Sequence, residues 1–154
     1  MSRLTTFLRQ PAHRKALFVE ALFRLCHAWF IVRKSGFTKR APYLGTKHAG
    51  DWIGDSSQNI DKIRDVRWAI NKACSLTGHR FTCLMIALAG KEMLRRFDIP
   101  NSLVLGAMKS PKPGNPELLA HAWLRSGRFV ILGKSGMHRF SPIVSYVDKK
   151  TNQK

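Results

Sequence analysis

The thiol and imidazole chemistry open to this chain rests on three cysteines and six histidines, and position separates them. Cys83 follows Arg80-Phe-Thr82 and opens an apolar run, so it falls in the first turn of a helix with Thr82 as N-cap. A helix N-terminus presents unpaired N–H groups and the positive end of its dipole, which favour thiolate over thiol. Cys26 and Cys74 lie well inside helical patterns, on or near apolar faces, and read as small core residues. A nucleophilic thiol also needs an imidazole to take its proton and return it to a leaving amine. His121, in Ala120-His-Ala-Trp123, stands in a strand pattern where His121 and Trp123 share one face. His13, His27, His48, His79 and His138 fall on helices, in loops or near their ends, and none has an equal context. A helix start packed on the strand's sheet would bring Cys83 beside His121. The Cys83 N–H, with a second donor from Arg80 or Thr82, would then serve an oxyanion. Trp123 is placed either to shield the imidazole or simply to fill core.

The elements that must position these two residues are legible from periodicity. From Arg14 to about Lys34, Leu17, Phe18, Ala21, Leu22, Leu25, Trp29 and Val32 recur at helical spacing, and Ser35–Gly36 ends the helix. That helix packs on the core or, since its polar face is basic, docks a partner or a membrane surface. Phe37 to Leu44 reads as a basic connector, and Gly45 to Ser57 as a polar loop holding Trp52 and Ile53. A second helix runs from Asn59 or Ile60 to about Leu76, with Ile63, Val66, Ala69, Ile70 and Ala73 inward and Thr77–Gly78 as its stop. The third helix carries Cys83 at its start and turns Ile86, Leu88, Ala89, Met93 and Phe97 inward before Asp98-Ile-Pro100. Beyond it the period becomes that of strands: Ser102 to Met108, then, past a Pro- and Gly-containing loop at 109–117, Leu119 to Leu124. A tight turn at Ser126–Gly127 leads into Arg128 to Leu132. Helices followed by an antiparallel sheet make an α+β domain.

The charge balance is lopsided, with 27 Lys and Arg against 9 Asp and Glu and a net charge of +18. Such a field attracts anionic partners without naming them. The basic residues spread from Arg3 to Lys154 rather than forming one stripe, and no nucleic-acid-binding signature is present, so no nucleic-acid partner is expected. Trp68, Trp123 and most Phe residues fall on apolar faces that a core would claim. An odd number of cysteines without CxxC or CxxH spacing points to no metal site and to a reducing, cytoplasmic compartment. The apolar stretch from Ala16 to Val32 is interrupted by Glu20, Arg24 and His27 and is short for a bilayer span.

The stretch from Val66 to Ile143 resembles the transglutaminase-like, papain-type cysteine proteases that mature lasso peptides, in the stand-alone form without a precursor-recognition domain. The matching words are Arg67-Trp-Ala-Ile70, Cys83-Leu-Met-Ile-Ala-Leu88, Leu94-Arg-Arg96 with Ile99-Pro100, Leu105-Gly106, and Ala120-His-Ala-Trp-Leu124 followed by Gly127 and Val130-Ile131. Phe140-Ser-Pro142, Glu20-Ala21-Leu22 and Leu44-Gly45 also fit. The length fits a single domain over residues 1–154, with an N-terminal helix and basic connector (1–57) and a polar, basic tail expected to be flexible (148–154), and the resemblance makes 58–147 the catalytic core. The resemblance implies a thiol protease that cuts a precursor peptide between leader and core, with Cys83 as nucleophile and His121 as general base and acid. No cofactor would bind directly. A small leader-recognition protein would present the precursor, and a separate ATP-dependent lasso cyclase would close the ring. The basic first helix would also suit peripheral membrane contact.

One departure matters. The family's third catalytic residue is an Asp about a dozen positions after the histidine, and Gly133 stands there instead. Asp148, the only later carboxylate side chain, could fold back, or a backbone carbonyl or side-chain amide could hold the ring of a dyad; the reading preferred here is the non-carboxylate orienter. Gly133 is equally the best support for the competing view, a non-catalytic peptide-binding or scaffolding member of the fold. A basic nucleic-acid-binding protein is the remaining alternative.

Overall fold

The computed structural model describes residues 9–54, 59–114 and 117–149. Residues 150–154 of the expected tail, and 55–57 of the polar loop, lie outside the described residues. Helix α1 spans Ala12–Phe30 and buries Leu17, Ala21, Leu25 and Ala28, one residue per turn. It widens into a π-helical turn at Ile31–Ser35 and stops at Gly36, whose φ of 72° suits glycine. Trp29 is a correction: Ala28 takes the inward place expected of it, and the indole is 43% exposed under the Arg33 guanidinium. A short helix α2, Phe37–Arg40, occupies the basic connector.

Helix α3, Ile60–Leu76, turns all five expected residues inward, and the Asn59 side chain accepts from the Lys62 N–H at 3.4 Å. Helix α4, Cys83–Arg96, begins where Thr82 accepts from the Met85 N–H at 3.4 Å. Leu88, Ala89 and Met93 are buried as expected, while Ile86 and Phe97 are half-buried.

The sheet has five strands in the order β1-β5-β2-β3-β4, each pair antiparallel: β1 Thr46–Ala49, β2 Asn101–Lys109, β3 Leu118–Ser126, β4 Phe129–Leu132 and β5 Ser141–Asp148. Two of these were not expected. β1 is a polar edge strand with no apolar alternation to betray it, and it carries His48. β5 is central and buried toward its end, and it contains Pro142, which is tolerated at the register shift opposite Leu105 and Gly106. The helices cover one face. Leu103, Ala122, Leu124, Leu132 and Tyr146 join Leu25, Val66, Ile70, Met93 and Leu94 in the core. The α+β architecture expected from the sequence is the one observed.

One buried cation ties the helical layer to the sheet. Lys91 in α4 is 1% exposed, and its three N–H donors meet three acceptors: Asn101 Oδ1 at 2.9 Å, the Tyr146 carbonyl at 3.1 Å and Asp148 Oδ2 at 2.8 Å. Arg95, one turn on, grips both oxygens of Asp148 at 3.1 and 3.0 Å. Asp148, expected at the edge of a flexible tail, is thus the anchored last residue of β5. Burial pushes the Lys91 ammonium down to about 8, a cost only partly offset by Asp148. Burial would raise the Asp148 carboxyl, but Arg95 and Lys91 together more than reverse that and hold it below its ordinary 3.8. The carboxylate has two cations and the ammonium one shared anion, so the pair is asymmetric.

Asp148→Asn should therefore cost about 3 kcal/mol in urea unfolding, because it leaves a buried ammonium without its anion, and Lys91→Met should cost less, because Asp148 keeps Arg95. The lowered carboxyl contributes fully above its unfolded value near 3.8 and loses that contribution as pH falls through the folded value. The gap between wild type and Asp148→Asn should accordingly narrow below about pH 4; a gap independent of pH would remove the charge from the explanation.

Candidate active site

Cys83 is the first residue of α4 and half-buried against the core. Thr82 precedes it in extended conformation (φ −74°, ψ 162°), and the helical ladder starts with the Ile86 N–H on the Thr82 carbonyl at 3.0 Å. The N–H groups of Cys83 and Leu84 precede that ladder, and the Thr82 hydroxyl takes the N–H of Met85. Cys74 is a core residue as expected, and burial pushes its thiol up, away from nucleophilic use. Cys26 is exposed on α1, which corrects its reading as core.

His121 lies on β3 opposite Gly106 of β2. Its Nε2 lies 2.8 Å from the carbonyl oxygen of Gly133. A carbonyl only accepts, so Nε2 carries the hydrogen and Nδ1 is left with the lone pair that a general base requires. Phe140 lies tilted against the ring at a centroid distance of 5.0 Å, and Trp123 flanks it at 6.0 Å. The Trp123 benzo ring lies over Gly106, where a Cβ would come within 2.8 Å of it, so glycine is needed for the tryptophan to lie flat beside the imidazole. The role of Phe140 was missed from the sequence; only its place before Ser-Pro drew notice.

Gly133 thus takes the expected orienter's position in the chain and orients the ring with its backbone. Its φ is 77°, and a Cβ there would stand 2.5 Å from the Ala122 carbonyl oxygen and 2.9 Å from the Trp123 Cα. Only glycine makes the turn that ends β4 and aims the carbonyl at His121. Asp148 does not orient the imidazole; its oxygens are held by Lys91 and Arg95.

The packing of α4 sets where Cys83 stands along β3. A Cβ on Gly90 would meet Leu124 and Leu132 within 3 Å, so the helix presses on the sheet there. The Ser126 hydroxyl donates to the Pro100 carbonyl at 2.6 Å, which puts the end of α4 at the end of β3, and the two run in the same direction. Seven residues back from Gly90 is two helical turns, about 10 Å. Three residues back from Leu124 is about 10 Å of strand. Cys83 and His121 consequently stand at the same end of the helix–sheet layer. Alternation turns His121 to the Trp123 face, away from Leu124. β4 pairs with Leu124, Arg125 and Ser126 of β3, and Gly133, just past β4, lies against Ala122 and Trp123 beside the imidazole.

A family profile described as the transglutaminase-like superfamily matches residues 31–145. The chain belongs to the transglutaminase-like superfamily. That superfamily includes cysteine peptidases and acyltransferases, and the matched segment contains Cys83, His121 and Gly133 but stops short of Asp148. No curated protein matches this transglutaminase-like chain, and no solved structure does.

Restoring a carboxylate at position 133 should not help. Gly133→Asp and Gly133→Ala should each lower stability by about 1–3 kcal/mol, since both force a side chain into a left-handed turn against backbone atoms. ¹⁵N NMR of the wild type should show neutral His121 as the Nε2–H tautomer, and Gly133→Ala should weaken that preference. A dominant Nδ1–H form would contradict the assigned hydrogen bond.

Proposed function

We propose that this transglutaminase-like protein is a cysteine peptidase that removes the leader from a lasso-peptide precursor. Cys83 is the nucleophile, and His121 takes the thiol proton at Nδ1 and returns it to the leaving amine. The observation that carries the reading is the hydrogen bond from His121 Nε2–H to the Gly133 carbonyl, which supports a base with its lone pair free in a site that lacks the expected carboxylate. The first-turn N–H groups of α4, that of Cys83 foremost, are suited to receive the oxyanion of the tetrahedral intermediate. A carbonyl orients the ring as a carboxylate would, but it stabilises the imidazolium less, so turnover below that of a full triad is expected.

The peptide and partners follow from the resemblance in the words around Cys83 and His121. The precursor is held by a small leader-recognition protein, and an ATP-dependent cyclase then uses the freed amine. The net charge of +18 supports an acidic precursor or partner.

Cleavage of a synthetic precursor, with the leader-binding protein present, should fall by about 10⁴-fold or more in Cys83→Ala and in His121→Ala. Asp148→Asn, compared at a temperature where it remains folded, should retain activity. Equal cleavage by wild type and Cys83→Ala would remove this thiol from the reaction. No cleavage by the wild type, with the precursor still bound, would favour a non-catalytic peptide-binding protein, the alternative to which Gly133 lends weight.

A further inference from the structure

The face of α1 turned away from the core carries a second apolar stripe. At 100° per residue, Val19, Phe23, Cys26 and Phe30 fall within about 60° of one another, opposite Leu17, Ala21, Leu25 and Ala28. Val19 is 64% exposed, Phe23 66% and Phe30 53%, and Cys26 is exposed between them. Amphipathicity accounts for the buried face and leaves this one unexplained. Singly exposed apolar residues are ordinary, but an aligned row of them with two phenylalanines is not.

The flanks of the stripe are cationic. Arg33 sits over the Trp29 ring at 5.6 Å, and Lys15 and Lys34 fall to either side. Glu20 is the one acidic residue of α1, and it points to Arg24 and Arg96, so no carboxylate of the helix stands in the stripe. Val19, Phe23 and Phe30 all precede residue 31, where the family match begins. The stripe therefore lies outside the matched segment, which contains Cys83 and His121.

We infer that α1 seats the protein peripherally on an anionic lipid bilayer. The stripe would lie at the level of the headgroups and upper acyl chains, with Trp29 and the flanking cations among the phosphates. No helix among the described residues is long and apolar enough to cross a membrane, so α1 lies on the surface. An exposed row of rings flanked by cations, with Glu20 turned to Arg24 and Arg96, fits a fluid anionic interface. A protein groove would be expected to meet paired charges or hydrogen-bonding groups at its rim. The surplus of 27 cationic over 9 acidic side chains draws the molecule to such a surface, and the stripe decides which face lands.

The test is flotation of the full chain with phosphatidylcholine vesicles, with and without about one-third phosphatidylglycerol, at about 0.15 M salt. Charge alone would bind a protein this basic at low salt, so the variants decide. Phe23→Ser/Phe30→Ser, with its fold checked by circular dichroism, should bind the anionic vesicles at least about tenfold more weakly than wild type. Phe129→Ser, which removes a comparably exposed ring from β4, should bind as wild type does. Arg33→Gln/Lys34→Gln should weaken binding and flatten its salt dependence. Absence of wild-type binding, or equal binding by the double Phe variant, overturns the inference. Concentration-dependent self-association that the double Phe variant abolishes, without vesicle binding, would overturn it in favour of a contact between two copies.

Discussion

The position of α4 on the sheet depends on a single buried ammonium. Lys91 has lost its water and replaced it with three acceptors from three places in the chain: Asn101 at the start of β2, Tyr146 within β5 and Asp148 at the end of β5. An ammonium in that position is tolerable only where all three donors are met, so the helix has one axial setting against the sheet. Arg95 repeats the constraint from the rim through Asp148. Gly90, one residue before Lys91, lets the helix approach until Leu124 and Leu132 touch it. Cys83 opens the same helix eight residues before Lys91, so its place along the sheet follows from the packing at Gly90 and Lys91 together.

Against that fixed helix, the imidazole is held by backbone. In most arrangements of this kind a side-chain carboxylate orients the ring, and its charge also stabilises the imidazolium. Here the carbonyl of Gly133 supplies the orientation and only a dipole's share of the charge. The substitution also constrains the local chain: the left-handed turn at Gly133 that aims the carbonyl leaves no room for a Cβ. Gly106 and Trp123 continue the same logic on the next strand, where a missing side chain makes space for the indole beside His121. The ring is therefore enclosed by Phe140, Trp123 and two glycine positions rather than by charges. The imidazole is half-buried, so this hydrogen bond is only partly shielded from water.

Charge and apolar surface are apportioned differently outside this region. Several aromatic rings are exposed: Trp29, which was expected inward, with Phe23 and Phe30 on α1, and Phe129 on β4. Others are half-covered by cations, as Trp68 is by Arg14 and Phe97 by Lys62 and Arg96. The helical layer is thus apolar on both sides of α1, and the excess of lysine and arginine covers what the core leaves out.

The sequence by itself determined the helices, the antiparallel β2–β4 unit and the local settings of the chemistry-bearing residues, because these follow from short-range physics. Helical periodicity placed Ile63, Val66, Ala69, Ile70 and Ala73 inward, Thr82 capped α4 and so put Cys83 at its start, and alternation paired His121 with Trp123. Only the tertiary structure decided what depends on distant partners. β1 has no apolar pattern, and β5 is exposed at Ser141–Ile143 and continuously buried from Ser145 to Val147, so neither alternates in a way that identifies a strand. The orienter of His121 is a carbonyl, a group that every residue carries, and no residue type announces it; only the turn at Gly133 aims this one at the ring. Lys91 shows the division most sharply. Its place between Leu88 and Leu94 on a helix names no partner; that Asp148 and β5 lie beside it was settled by the packing of the sheet beneath.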